Sequence, residues 1–281
     1  MRYWTIGLGL VLAVWLAGCT GGNQARERTK RAGEARGDIL IGAAGPWASA
    51  DYMLWEGLEL ARDEINASGG IRGRNIELLK ADDESSVSRG QVIAQQFAEN
   101  PDVVAVVGHV DSHVSIPNSL VYEYYGVLMI TPYSTSPRLT RKGLRYIFRA
   151  IPDDEVAGLE LADFCKRQGY RRVVVCHINN EYGVGLANAF EKECERDGIS
   201  VLDRVSYDSF SGAREFNKAL SSLKDNFEFD AIFIAGVVPQ AAVLIQEARK
   251  LGVNVPIVGS DGLDTESLIA VAGPAAENTF V

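Results

Sequence analysis

"VVAVVGHVDSHVSIPNSLVYEYYGVLMIT" (Val103–Thr131) is the stretch whose reading decides the fold. "VVAVV" is a continuous apolar run, as expected of a strand covered on both faces. A short polar step, "GHVDSH", follows. From about Val114 the apolar spacing becomes helical, with Pro117 tolerated near the first turn. Gly126 stops the helix, and "VLMIT" is apolar and extended again. Strand, helix and strand at this spacing predict a parallel βαβ unit.

The polar step raises a chemical question. His109, Asp111 and His113 alternate there, and neutral imidazoles with a carboxylate are good metal ligands. In an extended chain the three would share one face. They instead straddle a strand end, a turn and a helix start, and no other histidine-rich segment offers a further ligand. A metal is therefore not expected. The plainer reading is that Asp111 or Ser112 caps the helix. The helix start then favours an anion such as a carboxylate.

Outward from this unit the alternation continues in both directions. Strands are expected at "DILIGAAG", "NIELLKADD", "RRVVVCHI", "SVLDRVSY", "FDAIFIAG" and "VPIVGS", with helices between them. This predicts an α/β fold of parallel sheets with helices on both faces. The break at "RAIPDD" divides the chain into a first lobe, 38–150, and a second, 151–281. In open parallel sheets ligands sit beyond the carboxyl ends of the strands. The loops there, such as "GAAGPWAS", "GHVDSHVS", "TPYSTSP", "NNEYGVG" and "GSDGLD", are rich in Gly, Ser, Thr, Asp and Tyr. Such groups hold a small polar molecule.

The N-terminus reads differently. Arg2, an apolar core from Ile6 to Ala17 and a small-residue segment predict a signal peptide over residues 1–18. That core is shorter than the ~20 apolar residues a membrane span needs. "LAGC" resembles the lipobox of bacterial lipoproteins, which implies cleavage before Cys19 and a lipid on its sulfur. An ordinary signal or an uncleaved anchor is the alternative. Residues 19–37 carry many charges and no apolar period, and are expected to form a flexible tether. The net charge of −9 and the scattered basic residues give no nucleic-acid surface. Besides Cys19 the chain has Cys165, Cys176 and Cys194, an odd number with no metal-ligand spacing. Buried thiols are expected, and a Cys165–Cys194 bridge remains an open alternative.

Enzyme motifs are missing. "GAAGPWAS" lacks the spacing of a dinucleotide loop, "YGVGLAN" has only two glycines at the right distance, and there is no phosphate-binding loop or nucleophile elbow. Neither an enzyme nor a cofactor is expected.

Several segments resemble the branched-chain amino-acid (Leu/Ile/Val) binding proteins of bacterial ABC transporters. They are "EGLELARDEINASGGIRGRNIELLKADDES", "VVAVVGHVDSHVSIPNS", "GVLMITPYSTSPRLT", "YIFRAIPDD", "NEYGVGLANAF" and "IVGSDG". The likeness runs from Asp38 to Val281. It implies the two-lobed type I periplasmic-binding-protein fold, with an amino acid or similar small ligand bound between the lobes and no chemistry performed. It also implies an ABC permease as partner and an extracytoplasmic, membrane-anchored location. A ligand-sensing module of the same fold and, less favoured, a metal-dependent enzyme are the competing readings.

Carried over by position, the hydroxyl that meets the ligand carboxylate falls on Ser112. The contacts after the fourth strand fall on Tyr133, Ser134 and Thr135, assigned to the first lobe. The ligand-covering tyrosine falls on Tyr182, and the acidic partner of the ligand ammonium on Asp261. Two departures leave leucine itself unassured: Trp47 stands where the loop after the first strand is shorter, and Val237 replaces an aromatic residue. The family chain crosses between its lobes three times. The resemblance therefore implies that a C-terminal part, which would cover the first lobe's sheet, is missing after Val281.

Overall fold

The computed structural model describes residues 20–34, 37–48, 53–141 and 143–281. The signal-peptide reading of residues 1–18 and the lipid on Cys19 lie outside them. By its internal contacts the chain divides into two units. Unit 1 runs to Ser134 and resumes at Arg138–Ala150, and unit 2 takes Thr135–Pro137 and Ile151–Val281.

Unit 1 holds a sheet of β1 (Ile39–Gly45), β2 (Ile76–Asp82), β3 (Val103–Val107), β4 (Leu128–Thr131) and β5 (Ile147–Arg149). All are parallel, in the order β2-β1-β3-β4-β5. Helices α1 (Thr20–Glu34), α2 (Leu54–Ala67), α3 (Val87–Glu99) and α4 (Ser112–Tyr125) belong to it. The order reverses about β1, so the loops after β1 and β3 lie at the point where open sheets take ligands. The core is apolar, built on Val103, Val106, Met129, Phe97, Tyr122 and Ile147. The expected βαβ unit is present, with α4 starting at Ser112 rather than near Val114. The three-residue strand β5 had no clear sequence signal, because "YIFR" is too short for a period to register.

Unit 2 repeats the plan. Its sheet has β6 (Arg172–Ile178), β7 (Ser200–Tyr207), β8 (Ala231–Ala235), β9 (Ile257–Val258) and β10 (Thr279–Phe280) in the parallel order β10-β9-β8-β6-β7. Its helices are α5 (Asp154–Gln168), α6 (Glu181–Asp197), α7 (Ala213–Asn226), α8 (Gln240–Lys250) and α9 (Glu266–Ala272). Strand β8 is buried along its whole length. Phe233 on that strand stacks on Phe190 of α6 at 3.9 Å between ring centroids. Each such buried side chain contributes about 1.5–3 kcal/mol. Side chains cap two of these helices: Asp153 accepts the Glu155 and Val156 N–H groups, and Asn180 accepts that of Gly183.

Two expectations differ from the structure. Residues 20–34, read as part of a flexible tether, form helix α1. Its stability does not come from an apolar face. The buried guanidinium of Arg28 donates to the carbonyls of Ala98, Asn100 and Val103, where α3 ends and β3 begins. A cation at the carbonyl end of a helix is also favoured by the helix dipole. Burial pulls the Arg28 pKa below its ordinary value, and the Asp102 charge opposes this. Second, Thr135–Pro137 belong to unit 2, not to the first lobe. The Asp154 N–H donates to the Thr135 carbonyl at 3.0 Å, and the Ser136 hydroxyl to Glu181 at 3.0 Å. Cys165, Cys176 and Cys194 are all buried free thiols, so the open Cys165–Cys194 bridge is not made. Burial pushes the Cys165 and Cys176 thiols up to about 12.

Gly108 ends β3 with φ +129°, and a Cβ there would stand 2.0 Å from the Ala44 carbonyl oxygen on β1. Backbone cannot give way as a side chain tip can. Gly108→Ala is therefore expected to lower unfolding stability by about 2–4 kcal/mol, from overpacking plus left-handed strain. Urea denaturation of the two proteins measures this, and an unchanged midpoint contradicts it.

Candidate functional site

In unit 1 the residues singled out from the sequence lie on loops that follow β1, β3 and β4. Ser112 is the first residue of α4 and is buried. Asp111 occupies the cap position, but its side chain makes no capping hydrogen bond, so capping by Asp111 fails. The Val114 and Ser115 N–H groups bond to its backbone carbonyl instead. Ser134 is buried, and its hydroxyl lies 2.8 Å from the Val110 carbonyl and 2.5 Å from the Ser115 hydroxyl. Its N–H donates to the Thr131 hydroxyl at 3.0 Å, and that of Tyr133 to the same oxygen at 3.4 Å. The loop after β4 is thus laced to the loop after β3 by hydroxyls. Trp47, after β1, donates its indole N–H to the Ala81 carbonyl at 2.7 Å. It meets Trp55 edge-on at 5.7 Å, and the Lys80 ammonium lies over both rings.

The histidines of the polar step do not converge. His109 turns inward to Asp83, while His113 is half-buried and turns instead to the Ser85 carbonyl at 3.0 Å. Among the described residues no three His, Cys, Asp or Glu side chains gather as a metal site. The inward pairing was hidden from the sequence because Asp83 and His109 sit on different loops.

In unit 2, Tyr182 and Asp261 come together. The Tyr182 hydroxyl, at the start of α6, donates to Asp261 Oδ1 at 2.8 Å and meets the Ser260 hydroxyl at 2.6 Å. It accepts the Gly262 N–H at 3.2 Å. A Cβ on Gly262 would stand 2.4 Å from the Gly236 carbonyl and 2.9 Å from the Tyr182 hydroxyl, so only glycine permits this approach. Tyr182 is itself buried. Burial, with the Asp261 charge adding to it, raises its phenol well above the ordinary value. Asp261 is exposed as a residue, yet its carboxyl is crowded by protein. Desolvation raises its pKa above the ordinary carboxylate range, and the hydrogen bond from Tyr182 opposes the rise without cancelling it. Ser260 was not anticipated; its place beside "DG" in a turn gave no separate signal. Thr135 also lies in unit 2, and its hydroxyl has no partner among the described residues.

The two parallel sheets flanked by helices agree with what comparison finds. Residues 39–281 match the family model described as "Periplasmic binding protein". This chain belongs to the periplasmic binding protein family.

Members with curated names include an amino acid binding protein of Pseudomonas aeruginosa. It is 32% identical over 245 residues, covering 85% of this chain and 64% of its own. The Leu/Ile/Val-binding protein of Escherichia coli K12 is 30% identical over 246 residues, covering 86% and 65%. A solved ABC transporter substrate-binding protein from Desulfitobacterium hafniense, in complex with Leu, is 39% identical with a TM-score of 0.70. The match covers 79% of this chain and 66% of that one. A leucine binding protein from Thermotoga maritima is 31% identical with a TM-score of 0.78, covering 85% and 68%. This chain therefore spans about two thirds of the length of the relatives it matches.

A carboxyl whose native pKa is raised stabilises the fold fully below the unfolded carboxylate pKa and loses that contribution as pH rises through the native value. Asp261→Asn carries no charge at any pH and keeps an acceptor for Tyr182. Without ligand it is expected to melt above the parent at pH 7 and level with it at pH 3. Thermal midpoints at the two pH values check this; a lower midpoint at pH 7 goes against it.

Proposed function

We propose that this chain is the ligand-binding component of an ABC transporter and takes a free α-amino acid or a similar small polar molecule. The ligand carboxylate is assigned to Ser112 and the backbone at Tyr133 in unit 1, on loops that Ser134 holds in place, and the Thr135 hydroxyl of unit 2 is assigned to it as well. Unit 2 supplies Asp261 for the ammonium. One observation carries the reading. The carboxyl of Asp261 is desolvated, is oriented by Tyr182, and is paired with no cation among the described residues. An arriving ammonium would complete that pair. Relatives named for leucine, isoleucine and valine support an amino acid as the class. Trp47 and Val237 bear on the ligand's side chain, for which the departures at these positions leave room for other amino acids.

A charge-assisted hydrogen bond is worth roughly 1.5–3 kcal/mol. Asp261→Ala should therefore weaken binding of the preferred amino acid by about one to two decades, at 1.4 kcal/mol per decade. Titration calorimetry with leucine, isoleucine, valine, alanine and threonine reads it. Free acids should also bind far more tightly than their amides. Equal binding of acid and amide would reassign the pocket to a neutral ligand, and unaltered affinity in Asp261→Ala would remove that residue from it.

The chain is further proposed to be held outside the cytoplasm by a lipid on Cys19 and to deliver its ligand to a permease. Stable anchoring needs more than one acyl chain, at about 0.8 kcal/mol per buried CH₂. Cys19→Ala is expected to move the protein from the membrane fraction to the soluble fraction. Unchanged retention, with no lipid mass on the parent, rejects the anchor.

A further inference from the structure

Beneath the loops of unit 1 lies a buried polar chain that the proposed function does not use. His109 is completely enclosed and Asp83 is 1% exposed. His109 Nδ1 lies 2.6 Å from Asp83 Oδ2, and Nε2 lies 3.2 Å from the Tyr122 hydroxyl. A carboxylate only accepts, so Nδ1 carries the proton toward Asp83 and Nε2 accepts from Tyr122. Asp83 Oδ1 also accepts the Ser85 N–H at 3.0 Å.

The backbone of the same residue is as heavily engaged. The His109 carbonyl accepts the Thr131 hydroxyl at 2.7 Å and the Ser115 hydroxyl at 3.0 Å. Those hydroxyls in turn hold Ser134. One residue thus ties the loop after β2, the start of α4 and the loop after β4. Ser112 and Ser134 both depend on where that tie is made.

We infer that His109, held by Asp83, is a positioning residue for ligand binding: it sets the β3–α4 loop, and through it Ser112 and Ser134, in the arrangement that receives a ligand carboxylate. The binding part of this inference rests on the amino-acid reading; the positioning part does not. A histidine that merely filled space would cost stability when replaced and leave the folded protein's affinity alone.

Two replacements separate these roles. The amide of asparagine reaches the place of Nδ1, and that of glutamine the place of Nε2. His109→Asn keeps the bond to Asp83 and loses Tyr122; His109→Gln does the reverse. Calorimetry with leucine is expected to give His109→Asn and Tyr122→Phe within about threefold of the parent, and His109→Gln at least about tenfold weaker. Amide hydrogen exchange on the ligand-free protein should speed up over residues 110–115 and 132–134 in His109→Gln and stay unchanged in His109→Asn. Should His109→Gln fail to fold, Asp83→Asn keeps the shape, removes the charge and is expected to show the same two losses. The inference is overturned if folded His109→Gln, or Asp83→Asn in its place, binds and exchanges like the parent. It is equally overturned if His109→Asn is as impaired as His109→Gln. A parent that binds no amino acid refutes the amino-acid reading, and the exchange comparison then decides the positioning role alone.

Discussion

The carbonyl oxygen of His109 is the point on which the strand-end loops of unit 1 depend. A parallel sheet gathers the carboxyl ends of its strands at one edge, and each leaves there with backbone groups that no neighbouring strand satisfies. Thr131 and Ser115 close on that one oxygen from two directions. The His109 side chain reaches a third loop through Asp83. Hydroxyls suit the task because they are short, both donate and accept, and rotate to match a partner. Unit 2 solves the same problem with a phenol: Tyr182 bonds to Ser260, Asp261 and Gly262 from the start of α6.

Much of the fold was legible because its signals are periodic and local. The unbroken apolar runs of β3, β6 and β8 and the helical spacing between them predict parallel sheets, and these are present. What escaped were elements whose stability comes from partners. Strands β5 and β10 have three and two residues and exist through pairing with β4 and β9. Helix α1 has almost no apolar face and rests on one guanidinium among three carbonyls. Neither kind of signal is written in the segment itself.

The candidate site was legible to a different degree. Tyr182 and Asp261 are brought into contact although far apart in the chain. Ser112 and Ser134 lie on adjoining loops of unit 1, while Thr135 joins the other unit. The alternating His109, Asp111 and His113 pattern was misleading as a ligand set because a turn separates the three. Their chemistry is divided: one imidazole is buried against a carboxylate and the other, half-buried, meets a backbone carbonyl. A histidine beside an aspartate in sequence says little until the backbone shows which aspartate it faces.

Helix α1 has a consequence for distance. Fifteen residues in a helix span about 22 Å, at 1.5 Å per residue. The same residues drawn out would reach roughly 50 Å. With Arg28 locked into the end of α3, little slack remains between the first described residue and the body of unit 1. The lipid proposed on Cys19 would therefore hold unit 1 on a short leash, and would narrow the volume in which that unit could search for its proposed partner.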